Sequence, residues 1–227
     1  MAILEARSIS KNYTVDNRGI TVLEQVSLEV ADGEFLVIQG ESGSGKSTLL
    51  LILSGHDRPD AGRVLVAGRD ITDLREDELA PLRNTFFGFV FQSYHLVPSL
   101  TALENVMFPA ELRGDRQARE KAQALLTRVG LSQRIASFPH QLSGGEKQRC
   151  AICRALINGP RIIFADEPTG NLDSHNGRAV LELLLQLQRE QRTTLVLVTH
   201  SPEIARSAER VINLADGRLV PSAPHAR

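Results

Sequence analysis

Apolar and polar positions change period several times along the 227-residue chain. Phe35-Leu36-Val37-Ile38 is an unbroken apolar run ending in Gln39-Gly40, the pattern of a strand buried on both faces that enters a turn. Runs over 87–91, 162–165 and 195–198 read the same way, whereas the run over 49–53 continues as a helix. Residues 3–10 and 21–30 alternate apolar with polar and predict an antiparallel β flank. From about 93 to 159 the period turns helical, with helices expected over 102–112, 116–129 and 146–157. Strand candidates separated by helical stretches predict an α/β core with parallel strands. One domain is expected over 1–227, with a core from 1–92 and 160–220, a helical subdomain at 93–159 and a flexible tail at 221–227.

Composition narrows the class. The longest apolar run, five residues over 49–53, is far short of the ~20 that a membrane span needs. Glu5, Arg7 and Lys11 interrupt the start, so no amino-terminal signal is expected. Two cysteines exclude a disulfide scaffold and fit a reducing compartment. A net charge of −1 gives no support to a broad nucleic-acid-binding surface, and no nucleic-acid partner is expected. The expectation is a cytoplasmic globular protein.

Gly40-Glu41-Ser42-Gly43-Ser44-Gly45-Lys46-Ser47 fits the phosphate-loop pattern G-x-x-x-x-G-K-[ST] in its required context, after a strand and before a helix. Glycines let the backbone turn its N–H groups toward an anion, and the helix amino terminus adds a favourable dipole. Lys46 supplies a positive charge for the β- and γ-phosphates and Ser47 a hydroxyl for Mg²⁺, with Thr48 also placed at the nucleotide. The run over 161–165 ends in Asp166-Glu167-Pro168. Two acids at a strand end are alone as well read as solvated side chains. Beside a phosphate loop, Asp166 takes the place of the Mg²⁺-holding carboxylate. Glu167 is expected on the opposite face by strand alternation, where it could accept a proton from the attacking water.

Leu142-Ser143-Gly144-Gly145-Glu146 precedes a helix and offers a second anion site at a helix amino terminus. Two such helix ends are more than one nucleotide needs. With the phosphate loop and the Asp-Glu strand end, this segment resembles the ATP-binding subunit of ABC transporters over nearly the whole chain. The resemblance implies a P-loop ATPase core with an antiparallel β flank and a helical subdomain, and ATP with Mg²⁺ as cofactors. It also implies that Tyr13 stacks on adenine, that Gln92 touches Mg²⁺ and the attacking water, and that His200 faces the γ-phosphate. Asn171-Leu172-Asp173 matches the family's D-loop. Ser143, Gly144 and Gly145 would complete the site of a second copy in a head-to-tail dimer.

Narrower stretches, Phe91-Gln92-Ser93-Tyr94-His95-Leu96-Val97-Pro98 and Ala165-Asp166-Glu167-Pro168-Thr169-Gly170-Asn171-Leu172-Asp173, resemble the lipoprotein-releasing and macrolide-export (LolD/MacB-like) branch. That branch implies a separate permease of the FtsX/MacB type and a place on the cytoplasmic face of the inner membrane. In the family, the apolar segment after Gln92 helps form the groove for a permease helix, and a loop packed on its own subdomain is the alternative. An importer ATPase subunit or a non-transport ABC ATPase are the other readings, although one phosphate loop without sustained heptads speaks against the latter. Cys150 and Cys153 form C-x-x-C, but they fall at i, i+3 of a helix with no second ligand pair. Buried small hydrophobes describe them better than a zinc or redox site. The other five histidines show no metal spacing.

Overall fold

The computed structural model describes residues 2–15 and 18–220. The tail expected at 221–227 lies outside the described residues. The chain divides into two compact units, one made of residues up to Ala80 together with those from Thr194 onward, the other running from Pro81 to Thr193.

In the first unit, β1 (Ala2–Val15) and β2 (Arg18–Ala31) form a long antiparallel hairpin. With β4 (Ala61–Val66) and β5 (Arg69–Asp70) they make a sheet of order β2-β1-β4-β5. Alternation buries Leu23, Val26, Leu28 and Val30, with breaks where Ser8 and Gln25 take left-handed backbone (φ 51° and 50°). The register shifts at these bulges, and the Ser8 and Gln25 amides donate instead to the hydroxyls of Ser27 and Ser10. A parallel group follows a different rule. β3 (Phe35–Gln39) pairs with β8 (Thr194–Thr199) on one side and β9 (Arg210–Ala215) on the other, and β10 (Arg218–Val220) adds antiparallel to β9. Phe35, Leu36, Val37 and Ile38 are all buried, as an interior parallel strand requires. α1 (Lys46–Leu53) buries Leu49, Leu50, Ile52 and Leu53, which explains a helix apolar nearly all round. A short α7 (Pro202–Ala205) follows β8.

In the second unit, β6 (Phe87–Phe91) and β7 (Ile162–Asp166) run parallel in the register Phe87↔Ile162 to Phe91↔Asp166. The Phe164 ring packs edge-on to Phe87 (5.3 Å between centroids) and stacks on Phe89 (5.6 Å). α2 (Glu76–Phe86) leads into β6. Helices α3 (Ala102–Glu111), α4 (Ala118–Arg128) and α5 (Gly144–Leu156) occupy the stretch expected to be helical. Capping boxes start α3 (Thr101 with Glu104) and α5 (Ser143 with Glu146), each satisfying amides a helix end leaves open. α5 lies close on β6: a Cβ at Gly88 would stand 2.5 Å from the Ala155 carbonyl oxygen. Asp173 caps α6 (Ser174–Gln191), whose buried stripe is Val180, Leu181, Leu184 and Leu187.

Candidate nucleotide-binding site

In the first unit the phosphate loop leaves β3 and enters α1. Two glycines have strict steric reasons. A Cβ at Gly40 would stand 2.2 Å from the Leu214 carbonyl oxygen, and Gly45 holds φ +99° with the Val22 carbonyl 2.7 Å from where a Cβ would be. Gly45 thereby caps α1 in a left-handed turn. The Lys46 ammonium is drawn back over the loop and donates to the carbonyls of Gly40 (2.9 Å) and Glu41 (2.7 Å). Its residue is only 8% exposed, so the charge is focused into the loop. The Ser44 hydroxyl is buried and has no partner. Buried polar atoms are rarely left so, and one inside a glycine-lined anion cradle fits a phosphate group. Ser47 is exposed and Thr48 half-buried on the first turn of α1.

β8 brings His200 into the same unit. Gln39 pairs with Thr199, so Gly40 and His200 follow matched ends of neighbouring parallel strands. The carboxyl ends of parallel strands are where α/β sheets place ligands. Tyr13 is also in this unit, 39% exposed, with its hydroxyl donating to Asp57 (2.6 Å). The Lys11 ammonium reaches Asp57 (2.8 Å) and lies 5.1 Å from the centre of the Tyr13 ring. The hydrogen bond to Asp57, then burial, raises the Tyr13 phenol above its ordinary value. Burial opposes ionisation of Asp57, but the bonds from Lys11, Tyr13 and the Arg58 amide outweigh it and hold the carboxyl low. Lys11 and Asp57 were not singled out from the sequence, since each reads there as an ordinary surface charge.

In the second unit the same construction recurs. Phe91 pairs with Asp166, so Gln92 and Glu167 follow matched ends of β6 and β7. The alternation expected to turn Glu167 away from Asp166 does not reach it, because β7 ends at Asp166 and Glu167 has left-handed backbone (φ 43°). A non-glycine residue held there costs on the order of 1–3 kcal/mol. The Gln92 side-chain amide donates to the Asn171 side-chain oxygen Oδ1 (3.2 Å), and Asn171 Nδ2 donates to the Gln92 backbone carbonyl (2.9 Å). Gly170 leaves the room, since a Cβ there would stand 2.7 Å from the Gln92 amide nitrogen. Ser143 is exposed at the amino terminus of α5, with Gly144 and Gly145 in the first turn. Its hydroxyl is the cap and accepts from the Glu146 amide.

Cys150 and Cys153 are fully buried. Burial pushes the Cys150 thiol up to about 12 and the Cys153 thiol higher still, so neither is a ready thiolate. Among the described residues no group of three or more His, Cys, Asp or Glu is arranged to hold a metal ion. The hydroxyl of Ser47 in the first unit and the carboxylate of Asp166 in the second are each hard oxygen donors of the kind Mg²⁺ takes. Among the described residues no helix is long and apolar enough to cross a membrane.

A glycine loop turning from a parallel strand into a helix defines the phosphate-loop class of α/β proteins. Residues 23–170 match the family model described as ABC transporter. The chain is 46% identical over 225 residues to the macrolide export ATP-binding/permease protein MacB of Syntrophobacter fumaroxidans, covering 97% of this chain and 32% of that protein. It is 48% identical over 225 residues to MacB of Salmonella typhi, covering 98% and 35%. The chain thus spans about a third of the length of the curated relatives it matches. Among solved structures, the dimeric post-hydrolysis state of the ATP-binding cassette MJ0796, bound to ADP and Pi, superposes with a TM-score of 0.89 at 42% identity, covering 96% of this chain and 97% of that one. A second dimeric structure of MJ0796, described as a bacterial ABC transporter cassette, matches equally well. The chain belongs to the ABC transporter family, and its fold is that of the family's ATP-binding cassette.

Proposed function

We propose that this chain binds and hydrolyses Mg·ATP as the motor of a MacB-like ABC transporter, dimerising head to tail with a second copy to drive a membrane permease of the FtsX/MacB type from the cytoplasmic face. The observation that carries the reading is the phosphate loop, where a buried ammonium and an unpartnered buried hydroxyl sit in a turn whose Gly40 and Gly45 leave no room for a Cβ. Similarity to a cassette whose solved dimer holds ADP and Pi supports the hydrolytic part.

In this reading Lys46 and the loop amides bind and orient the β- and γ-phosphates, and Tyr13 packs against the base. Ser47, Asp166 and Gln92 hold Mg²⁺, which when bound supplies charge neutralisation at the phosphate oxygens. Glu167 orients the attacking water and accepts its proton, while His200 donates to the γ-phosphate. Ser143, Gly144 and Gly145 of the second copy close the site and exclude bulk water. The chemistry is positioning and charge stabilisation rather than covalent catalysis. ATP that ties two copies together, and products that do not, give the differential affinity from which a permease takes its motion.

A phosphate-release assay with Mg·ATP tests the reading. Steady release by the wild type, with nucleotide binding lost in Lys46→Ala, supports it. Binding without any turnover, with the permease present, contradicts it.

A further inference from the structure

We propose that Gln148 is the positioning residue that ties α5 to the catalytic carboxylate, an inference that rests on Glu167 acting as the general base. Gln148 lies on α5, one turn after Gly144, and is completely buried. Its amide nitrogen donates to the carbonyl of Pro168 (2.6 Å) and faces the carbonyl of Phe91 at 3.4 Å. These two carbonyls flank the paired ends of β7 and β6, one immediately after Glu167 and the other immediately before Gln92. The amide orientation is unambiguous, because the flipped group would set oxygen against two carbonyl oxygens. The oxygen end is buried without a partner, so the donor end alone fixes the side chain.

The same helix holds the other side of Gln92. The Arg154 guanidinium donates to the carbonyls of Tyr94 (2.8 Å) and His95, two successive residues with left-handed backbone (φ 60° and 48°). Gly88 allows α5 to come close enough to β6 for these bonds. α5 therefore grips the backbone on both sides of Gln92 and just beyond the strained Glu167. Arg154 shapes the loop, whereas Gln148 bonds the carbonyl next to the carboxylate. Engagement of Ser143 at the start of this helix is transmitted toward the proton acceptor through the Gln148 amide.

The test is a double-mutant cycle between Gln148→Met, which keeps length and loses the donor, and Glu167→Gln. A misplacement of about 1 Å costs up to ~10²-fold in rate, so Gln148→Met should lower kcat about ten- to a hundredfold with KM for ATP unchanged. In the Glu167→Gln background the same change should cost nothing further, because the group it positions is already gone. Thermal unfolding and nucleotide binding verify that the variant is folded. Should Gln148→Met fail to fold, Gln148→Asn, too short to reach Pro168, is read in the same cycle. An unchanged kcat, or an equal loss in both backgrounds, overturns the proposal. Wild-type turnover in the Glu167→Gln single variant overturns the base assignment and this proposal with it, and is distinguishable because it shows before Gln148 is touched.

Discussion

Lys46 illustrates how far single residues could be read. Its motif identified it, and the structure adds that its ammonium is folded back onto the carbonyls of Gly40 and Glu41 rather than extended into water. Lys46→Ala should therefore weaken nucleotide binding itself, measured by titration with a fluorescent ATP analogue. Lys46→Arg should not restore it, because a planar guanidinium does not fit a cradle built for a point charge. Gln148, Arg154 and Asn171 were less legible. Each lies inside or beside a recognised motif, but its role depends on backbone carbonyls that spacing does not place. Arg154 had one signal, a charge on the otherwise apolar helix segment of Cys150, Ile152 and Cys153. The cysteine pair resolves the other way. Both thiols are buried and far from ionising near neutrality. Cys150→Val combined with Cys153→Ala should keep ATP hydrolysis and leave metal content unchanged, and loss of stoichiometric zinc from the double variant would contradict this.

At the scale of elements, the buried strands were the most legible. β3, β6, β7 and β8 are continuous apolar runs, and the structure places each within a residue of expectation. α6 is missing from the expected elements although Val180, Leu181, Leu184 and Leu187 have helical spacing. α2 was hidden differently: Pro81 lies inside it and Leu79 is its one buried residue. β4 and β9 are short, partly exposed strands whose pairing with β1 and β3 is long-range and leaves little local trace. Local capping decides α5. The Ser143 amide bond, aided by Arg134 and opposed by burial, holds the Glu146 carboxyl below its usual 4.5. A lowered folded value means that Glu146 stabilises fully above pH 4.5 and that this contribution is lost as pH falls through the folded value. The stability gap between wild type and Glu146→Ala, followed by urea midpoint, should shrink on acidification. Buried Asn105, on the first turn of α3, accepts from the Val97 amide and donates to the carbonyls of Val97, Leu100 and Thr101 in the segment before it. Asn105→Ala leaves several of these unpaired at about 1–3 kcal/mol each, so a loss of more than about 1 kcal/mol is expected in the denaturant midpoint.

For the whole molecule, the opening pattern promised parallel strands with a helical insertion, and the family is now secure from residues 23–170 and from the cassette fold. What periodicity could not supply is the repeated logic of the two units. Each ends a pair of parallel strands in register, so that Gly40 with His200, and Gln92 with Glu167, leave adjacent strand ends. Val97 is a 37% exposed apolar residue five positions after Gln92, and its backbone is tied to Asn105. Val97→Asp should weaken co-purification with the permease and retain hydrolysis by the isolated chain, and undiminished co-purification would remove this segment as a docking surface.

The most direct test of the motor reading is Glu167→Gln, assayed for phosphate release and for dimer formation with Mg·ATP by size-exclusion chromatography. The account predicts a fall in turnover of roughly 10²–10⁴-fold, the usual contribution of a general base, with ATP binding intact and a stable ATP-bound dimer. Turnover at the wild-type rate, or no dimer under saturating ATP, would contradict it.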